Sequence, residues 1–247
     1  MKKRCTAVIL AAGSGSRMKS RRAKQFMPLN GKPLITYALL AVELSDIIDD
    51  CILVTGAEDI PYMKKEIVNK CRFRKVDTIV AGGSERFLSV ANALQVIRER
   101  KMKVPNEDGY VFIHDGARPF LTEKILEDTY QAVEQYHAAV AAVPSKDTIK
   151  IADEEGFVTA TPARNQVWSI QTPQVFDTQL ILEAYGKYMD QWESLRQKNI
   201  TVTDDAGVVE LMTDRKVKLV MSSYENIKIT TPEDLITAEG FLRPDIW

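Results

Sequence analysis

Cysteine is scarce in this chain. There are 3 in 247 residues, at Cys5, Cys51 and Cys71, an odd number with no CxxC spacing and no nearby histidine. That excludes a disulfide framework and a zinc site as the organising principle, and buried thiols in a reducing cytoplasm are the expectation. Histidine is scarcer, with 2 residues, so a nucleophile–histidine–acid triad has little to draw on. An excess of one charge is also missing: 33 Lys and Arg face 34 Asp and Glu, a formal net charge of -1. Nothing in that balance favours nucleic acid or an acidic membrane surface, so any site for a polyanion must be built locally. Long apolar runs are absent as well. Ala7 to Ala12 is short and leads into Gly-Ser, so it reads as a buried first strand behind a basic start rather than a secretion signal, and no stretch approaches the ~18 uninterrupted apolar residues of a membrane span.

What is present is an ordinary globular composition, 45% hydrophobic and 27% charged. Area scaling for a chain of this mass buries about 70% of the unfolded surface, enough for one large core. Short apolar runs alternate with segments of helical period, the pattern of βαβ units around a mostly parallel sheet. Thr6–Ala12, Cys51–Thr55, Thr78–Ala81, Tyr110–His114 and Ala138–Val143 read as strands covered on both faces, and Lys216–Met221 and Asn226–Ile229 as later strands. Helices are expected after Pro33 in the first turn, after a Ser84 cap with Phe87, Val90, Ala91, Leu94 and Ile97 inward, and after a Thr122 cap. Further helices run from Asp177 to Tyr188 and from Thr231-Pro232 onward. The stretch Ser145–Arg164 breaks the rhythm with charges, Gly156, Pro162 and two β-like pieces, Thr148–Ile151 and Phe157–Thr159. It reads as a hairpin arm of about residues 145–165 set off from a single domain of residues 1–247, with an exposed edge that invites a second subunit.

The first strand runs into Ala11-Ala12-Gly13-Ser14-Gly15-Ser16-Arg17-Met18, with Lys24 beyond. A glycine-rich turn at the carboxyl end of a first parallel strand is where α/β sheets bind phosphates, because backbone N–H groups can approach the anion closely. The dinucleotide fingerprint would need glycine at Met18, and the P-loop pattern has no match. Arg17 and Lys24 suit a polyphosphate whose charge grows during reaction, although a surface turn with incidental bases fits the same glycine pattern.

The pattern A-A-G-x-G-x-R-M, then K-Q-F and G-K-P-L, resembles the nucleotidyltransferases that make sugar and alditol nucleotides. Gly82-Gly83-Ser84-Glu85-Arg86 with Ser89, His114-Asp115-Gly116-Ala117-Arg118-Pro119, Asp147-Thr148-Ile149-Lys150, Arg164-Asn165, Gln171-Thr172-Pro173-Gln174, Thr203-Asp204-Asp205 and Asn226 to Leu235 follow in order. Together they closely resemble the 2-C-methyl-D-erythritol 4-phosphate cytidylyltransferase family of the non-mevalonate isoprenoid pathway, from Ala7 to about Phe241. Ribitol-5-phosphate cytidylyltransferases share several of these elements, and a catalytically silent nucleotide-binding protein of the same fold is a further reading. Single glycine after Ala11-Ala12, Val143-Pro144 and Trp168 tilt the acceptor toward methylerythritol phosphate. The stretch Lys187–Asn199 is longer than the family pattern and is expected to alter a surface loop near the acceptor.

The resemblance implies a Rossmann-like nucleotidyltransferase fold, with a mostly parallel sheet flanked by helices and a protruding β-arm for dimerisation. It implies cytidylyl transfer from CTP with Mg²⁺ and no general base, since a phosphate monoester with a second pKa of ~6 is already largely a dianion. Arg17 and Lys24 would stabilise charge on the α-phosphate and pyrophosphate. Arg164, reaching across from the partner's arm, and Lys228 would hold the acceptor phosphate. Ala11, Ala12, Gly13, Ser14, Gly15, Gly82, Arg86 and Ser89 would bind CTP, the last three in the base-reading region. Asp115, Arg118, Thr148 and Thr203 would contact the acceptor, with Asp115 also beside the metal. Read alone, Asp115 fits a turn aspartate, Arg86 a first-turn surface residue and Arg164 a surface charge. His114 reads as a satisfied core histidine.

Overall fold

A computed structural model describes residues 2–13 and 24–242, with the Lys24 side chain outside the described set. The strands are β1 Cys5–Ala11, β2 Pro28–Leu29, β3 Lys32–Pro33, β4 Asp50–Thr55, β5 Val76–Ala81, β6 Tyr110–Asp115, β7 Ala138–Pro144, β8 Ile151–Ala152, β9 Val158–Ala160, β10 Trp168–Asp177 and β11 Lys218–Met221. The helices are α1 Ile35–Leu44, α2 Ile60–Tyr62 continuing as a π-helical stretch Met63–Asn69, α3 Arg86–Arg98, α4 Glu123–Tyr136, α5 Thr178–Gln197, α6 Asp205–Met212 and α7 Pro232–Phe241.

One sheet in the order β11-β7-β10-β6-β1-β4-β5 forms the centre. Its pairs are parallel except around β10, which runs antiparallel to both β6 and β7. Alternation along β1 divides the core. Cys5, Ala7, Ile9 and Ala11 join α1 and α4 on one face, while Val8 joins α3, α5 and α6 on the other. Both faces being covered is why these strands are apolar runs rather than alternating ones.

The expected α/β architecture is present, with several local corrections. Pro33 lies in β3, before a helix that begins at Ile35. Ser84 does not cap α3, whose N-cap is Glu85 without a side-chain bond. Thr122 does cap α4, its side chain accepting from Ile125 N, and Thr231 with Asp234 forms a capping box ahead of Pro232. Cys5 and Cys51 are buried, and burial raises both thiols, Cys5 to about 12; Cys71 is exposed instead.

The stretch Lys187–Asn199, where an altered surface loop is expected, is largely helix. Within α5 the residues Ala184, Tyr185, Tyr188 and Leu195 face inward, and the helix runs on to Gln197 because its apolar period continues past Tyr188 without a proline. Asn226–Ile229 is not a strand but a loop, since its backbone is held by single bonds to the Arg118 and Ala117 region.

Ser145 N donates to Val167 O at 2.9 Å, which closes the base of the expected arm. Inside it, β8 and β9 pair antiparallel. Gly156 sits at φ +90°, a left-handed turn that a side chain would strain, and Phe157 N donates to Asp153 Oδ1 at 2.9 Å.

Candidate active site

Parallel strands deliver their carboxyl ends to one edge of the sheet, and there β1, β5 and β6 end in Ala12-Gly13, Gly82-Gly83 and Asp115. Between them is a cleft of about 380 Å³, lined among others by Ala11, Ala12, Gly13, Arg86, Ser89, Asp115 and Lys228. This is the crevice where open α/β sheets bind ligands. Close approach explains the glycine at its rim: a Cβ on Gly82 would collide with Ala12 Cβ and come within 2.8 Å of Ser89 Oγ. Ser89 shapes the same turn, its hydroxyl accepting from Gly83 N at 3.1 Å and donating to Glu85 O at 3.3 Å.

Asp115 is the electrostatic centre. Its Oδ2 meets Lys228 Nζ at 2.7 Å and Arg118 Nε at 3.8 Å, and its Oδ1 meets Arg86 Nε at 3.4 Å. Burial pushes the carboxyl up, but the charges of Arg86, Lys228 and Arg118 outweigh it and hold Asp115 well below the usual carboxylate range. Burial is also the main influence on Arg118, whose guanidinium is pushed below its ordinary value.

Lys228 arrives on a loop that the rest of the fold pins. Asn226 is fully buried and its Nδ2 donates to Thr172 O at 2.8 Å and Gln171 Oε1 at 3.1 Å. Three residues on, Ile229 N donates to Ala117 O at 2.8 Å. The irregular register of β10 between Ile170 and Gln174 presents Thr172, whose hydroxyl accepts from Asp115 N at 3.1 Å and pairs with His114 Nδ1 at 3.0 Å. His114 Nε2 lies 3.1 Å from Arg118 O, and burial lowers the imidazole to about 4. It is the satisfied core histidine that its position at a strand end implied.

Arg86 has partners beyond those expected of a base-reading residue. Its Nη1 and Nη2 donate to Asp205 at 2.8 and 2.7 Å, so the guanidinium is committed to two carboxylates. Asp205 is fully buried at the start of α6 and accepts a third bond from Tyr185 Oη at 2.6 Å. Neither Asp205 nor Tyr185 is marked as functional by sequence reasoning; the one signal was the pair Asp204-Asp205, of which Asp204 caps α6 by accepting from Gly207 N at 2.9 Å. Gln25 was also missed. It lines the cleft, buried, with an Oε1 that finds no hydrogen-bond partner among the described residues.

The remaining expected residues divide by location. Arg17, Ser14 and Gly15 lie outside the described residues, as does the Lys24 side chain. Gly82 adjoins the cleft through Ala12, and Arg118 does so through Asp115. Thr148 and Arg164 are exposed on the arm, and Thr203 is exposed just before the Asp204 cap; none of the three lines the cleft. Of the four expected cations, then, Lys228 is the one the described side chains bring to the site within a single chain.

A family model described as 2-C-methyl-D-erythritol 4-phosphate cytidylyltransferase matches residues 5–244. The chain belongs to the 2-C-methyl-D-erythritol 4-phosphate cytidylyltransferase family. A member of that name from Lachnospira eligens is 48% identical over 238 residues, covering 96% of this chain and 99% of the relative. Another cytidylyltransferase of the family, from Lachnoclostridium phytofermentans, is 44% identical, with 96% of each chain covered. Among solved structures, the 4-diphosphocytidyl-2C-methyl-D-erythritol synthase of Anaerococcus prevotii superposes with a TM-score of 0.80 at 36% identity, over 97% of this chain and 96% of that one. The Francisella tularensis cytidylyltransferase gives 0.77 at 30% identity, over 97% and 100%. The nucleotidyltransferase fold expected from the motifs is therefore the fold of this family's solved members.

Proposed function

We propose that the chain transfers the cytidylyl group of CTP to 2-C-methyl-D-erythritol 4-phosphate, giving 4-diphosphocytidyl-2-C-methyl-D-erythritol and pyrophosphate. The observation that carries this reading is the cleft at the strand ends, where a glycine-lined turn faces the Asp115–Lys228 pair, in a chain whose family is a cytidylyltransferase family. Membership also favours methylerythritol phosphate over ribitol phosphate as acceptor.

An acceptor phosphate oxygen attacks the α-phosphorus of CTP, and the bond from that phosphorus to the bridging oxygen breaks as pyrophosphate leaves. No proton must be removed from a dianionic nucleophile, so the work left to the protein is positioning and charge neutralisation. Gly82 and Gly83 let their turn pack closely on Ala12, Ser89 and Leu88 at the cleft, where the nucleotide is placed in our assignment. Lys228, already directed into the cleft, offers its ammonium to the acceptor phosphate, with Asp115 fixing where that ammonium sits. Arg118 adds positive charge behind them. In our assignment Arg17 and Lys24 neutralise the triphosphate, and Arg164 completes the acceptor site from the arm of a second subunit. Thr148 and Thr203 are acceptor contacts in the same assembled site.

Nucleotidyltransferases of this kind generally use a divalent metal ion, and we assign Mg²⁺ here. The donor set fits an ion carried in on phosphate oxygens rather than one resident in the protein. Among the described residues no three His, Cys, Asp or Glu side chains gather, and the cleft offers Asp115 as its one buried carboxylate beside Lys228. Mg²⁺ commonly takes one or two carboxylates plus phosphates, and when bound it would polarise phosphoryl oxygens. Among the described residues no helix is long and apolar enough to cross a membrane, and we take a cytoplasmic enzyme as the working reading.

Pyrophosphate release from CTP and Mg²⁺ with each acceptor supplied separately tests this. Turnover with methylerythritol phosphate is expected; preference for ribitol phosphate would reverse the acceptor, and no release with either would remove the enzyme reading.

A further inference from the structure

Five side chains from five different elements form one continuous chain of contacts: Tyr185 on α5, Asp205 on α6, Arg86 on α3, Asp115 at the end of β6, and Lys228 on the loop before α7. The links are 2.6 Å, 2.7 and 2.8 Å, 3.4 Å, and 2.7 Å in that order. Three of the five reach the cleft. Asp205 is fully buried while Arg86, Asp115 and Lys228 line the cleft wall.

We propose that Asp205, oriented by Tyr185, is a positioning residue for the transfer reaction: it fixes the Arg86 guanidinium, which in turn fixes the carboxylate of Asp115 and through it the ammonium of Lys228. The fork of a guanidinium matches a carboxylate bidentately and leaves it little rotational freedom. With both Nη atoms on Asp205, the Nε of Arg86 is left facing Asp115 Oδ1. Lys228 takes the opposite oxygen, Oδ2. Asp115 is therefore held from two sides, and the direction of the ammonium depends on both. Asp205 has a second effect. It supplies the negative charge that keeps Arg86 from turning into a cleft about to receive a triphosphate. Remove that charge, and Arg86 closes on Asp115 and competes with Lys228 for it.

A buried ion pair that merely staples α3 to α6 would show the same bonds, so the distinction must be kinetic. The inference rests on the proposed cytidylyl transfer, and the experiment separates the two. Steady-state kinetics of the full-length enzyme, of Asp205→Asn and of Tyr185→Phe would be measured with CTP and methylerythritol phosphate varied independently, alongside thermal melts. Asp205→Asn is expected to lower kcat/KM for the acceptor about 30- to 100-fold, with at least ~5-fold in acceptor KM and CTP KM within about twofold. Tyr185→Phe, which keeps both Arg86 bonds, is expected to move the same parameters in the same direction by about 2- to 10-fold.

Acceptor parameters within twofold of wild type in the folded variants would overturn the proposal. So would a fall in kcat that follows the folded fraction with both KM values unchanged, which is the behaviour of a structural staple. Should Asp205→Asn fail to fold, Tyr185→Phe is judged by the same criteria. A wild-type enzyme without turnover on this acceptor removes the functional reading and this inference together, whereas active wild type with unaffected variants removes the inference alone.

Discussion

The cleft and the arm carry the two halves of the proposed acceptor site, and they are built on opposite physical terms. Around Asp115 the charged groups are buried or half-buried and neutralise one another, held by neighbours from separate elements. On the arm Arg164 is exposed, and so are apolar side chains, with Phe157 at 68% and Val158 at 58% exposure. A hairpin of two short strands has no core of its own and cannot be stable alone. The cleft is thus preorganised by the monomer, while the arm presents an apolar surface whose natural cover in our reading is a second copy of this chain. In that reading one site is divided between a part that folding completes and a part that assembly completes.

That division can be broken most sharply through activity. Lys228→Ala is expected to reduce kcat/KM for the acceptor by about 10³-fold, and Arg164→Ala by about 10²-fold, because each removes a cation opposite the attacking dianion. Mixing Arg164→Ala chains with Lys24→Ala chains should then recover part of the activity if the arm serves the partner's cleft. Mixed dimers as inactive as either parent would place Arg164 in its own subunit's site or in none.

Stability should separate the same regions. Phe112→Ala, in the fully buried centre of β6, is expected to destabilise the chain by about 3–5 kcal/mol in urea titrations. Phe157→Ser on the arm should leave the monomer within about 0.5 kcal/mol and instead shift sedimentation toward monomers. A folded-state loss at Phe157 comparable to that at Phe112 would mean that the arm packs on its own body.

A third contrast is with pH. His114 takes up its proton near 6.5 when unexposed to the fold's influence and near 4 in the folded chain. Between those values the unfolded chain binds more protons, so stability falls as pH drops from about 6.5 to about 4 and levels off below, by up to roughly 3 kcal/mol. His114→Asn should flatten that slope in urea melts at stepped pH; an unchanged slope would assign it to other groups. Gly82→Ala is expected to have the smallest effect on the comparison, raising CTP KM about tenfold through its clash with Ala12 and Ser89.

Much of this was legible beforehand, for identifiable reasons. Strands covered on both faces are continuous apolar runs, so β1, β4, β6 and β7 stood out, and the glycines at Gly13, Gly82 and Gly83 marked the cleft at the sheet edge. β10 did not stand out. Gln171-Thr172-Pro173-Gln174 lacks an apolar run because its polar groups are directed to Asp115, His114 and Asn226. The segment after Lys187 continues as helix because Tyr188 and Leu195 keep the inward spacing, a signal that comparison of lengths does not carry.

Composition, periodicity and ordered motifs determined the α/β class, the arm, the family and the strand ends that carry the chemistry, since these follow from local pattern and covalent order. Only the tertiary structure decided that Arg86 is shared between Asp205 and Asp115 and that Lys228 shares Asp115 with it. Those partners are separated by up to 119 residues along the chain, and the strength of a buried ion pair depends on burial and geometry that no local pattern encodes. Within a net charge of -1, folding gathers Asp115 and three cations, Arg86, Arg118 and Lys228, at a single cleft.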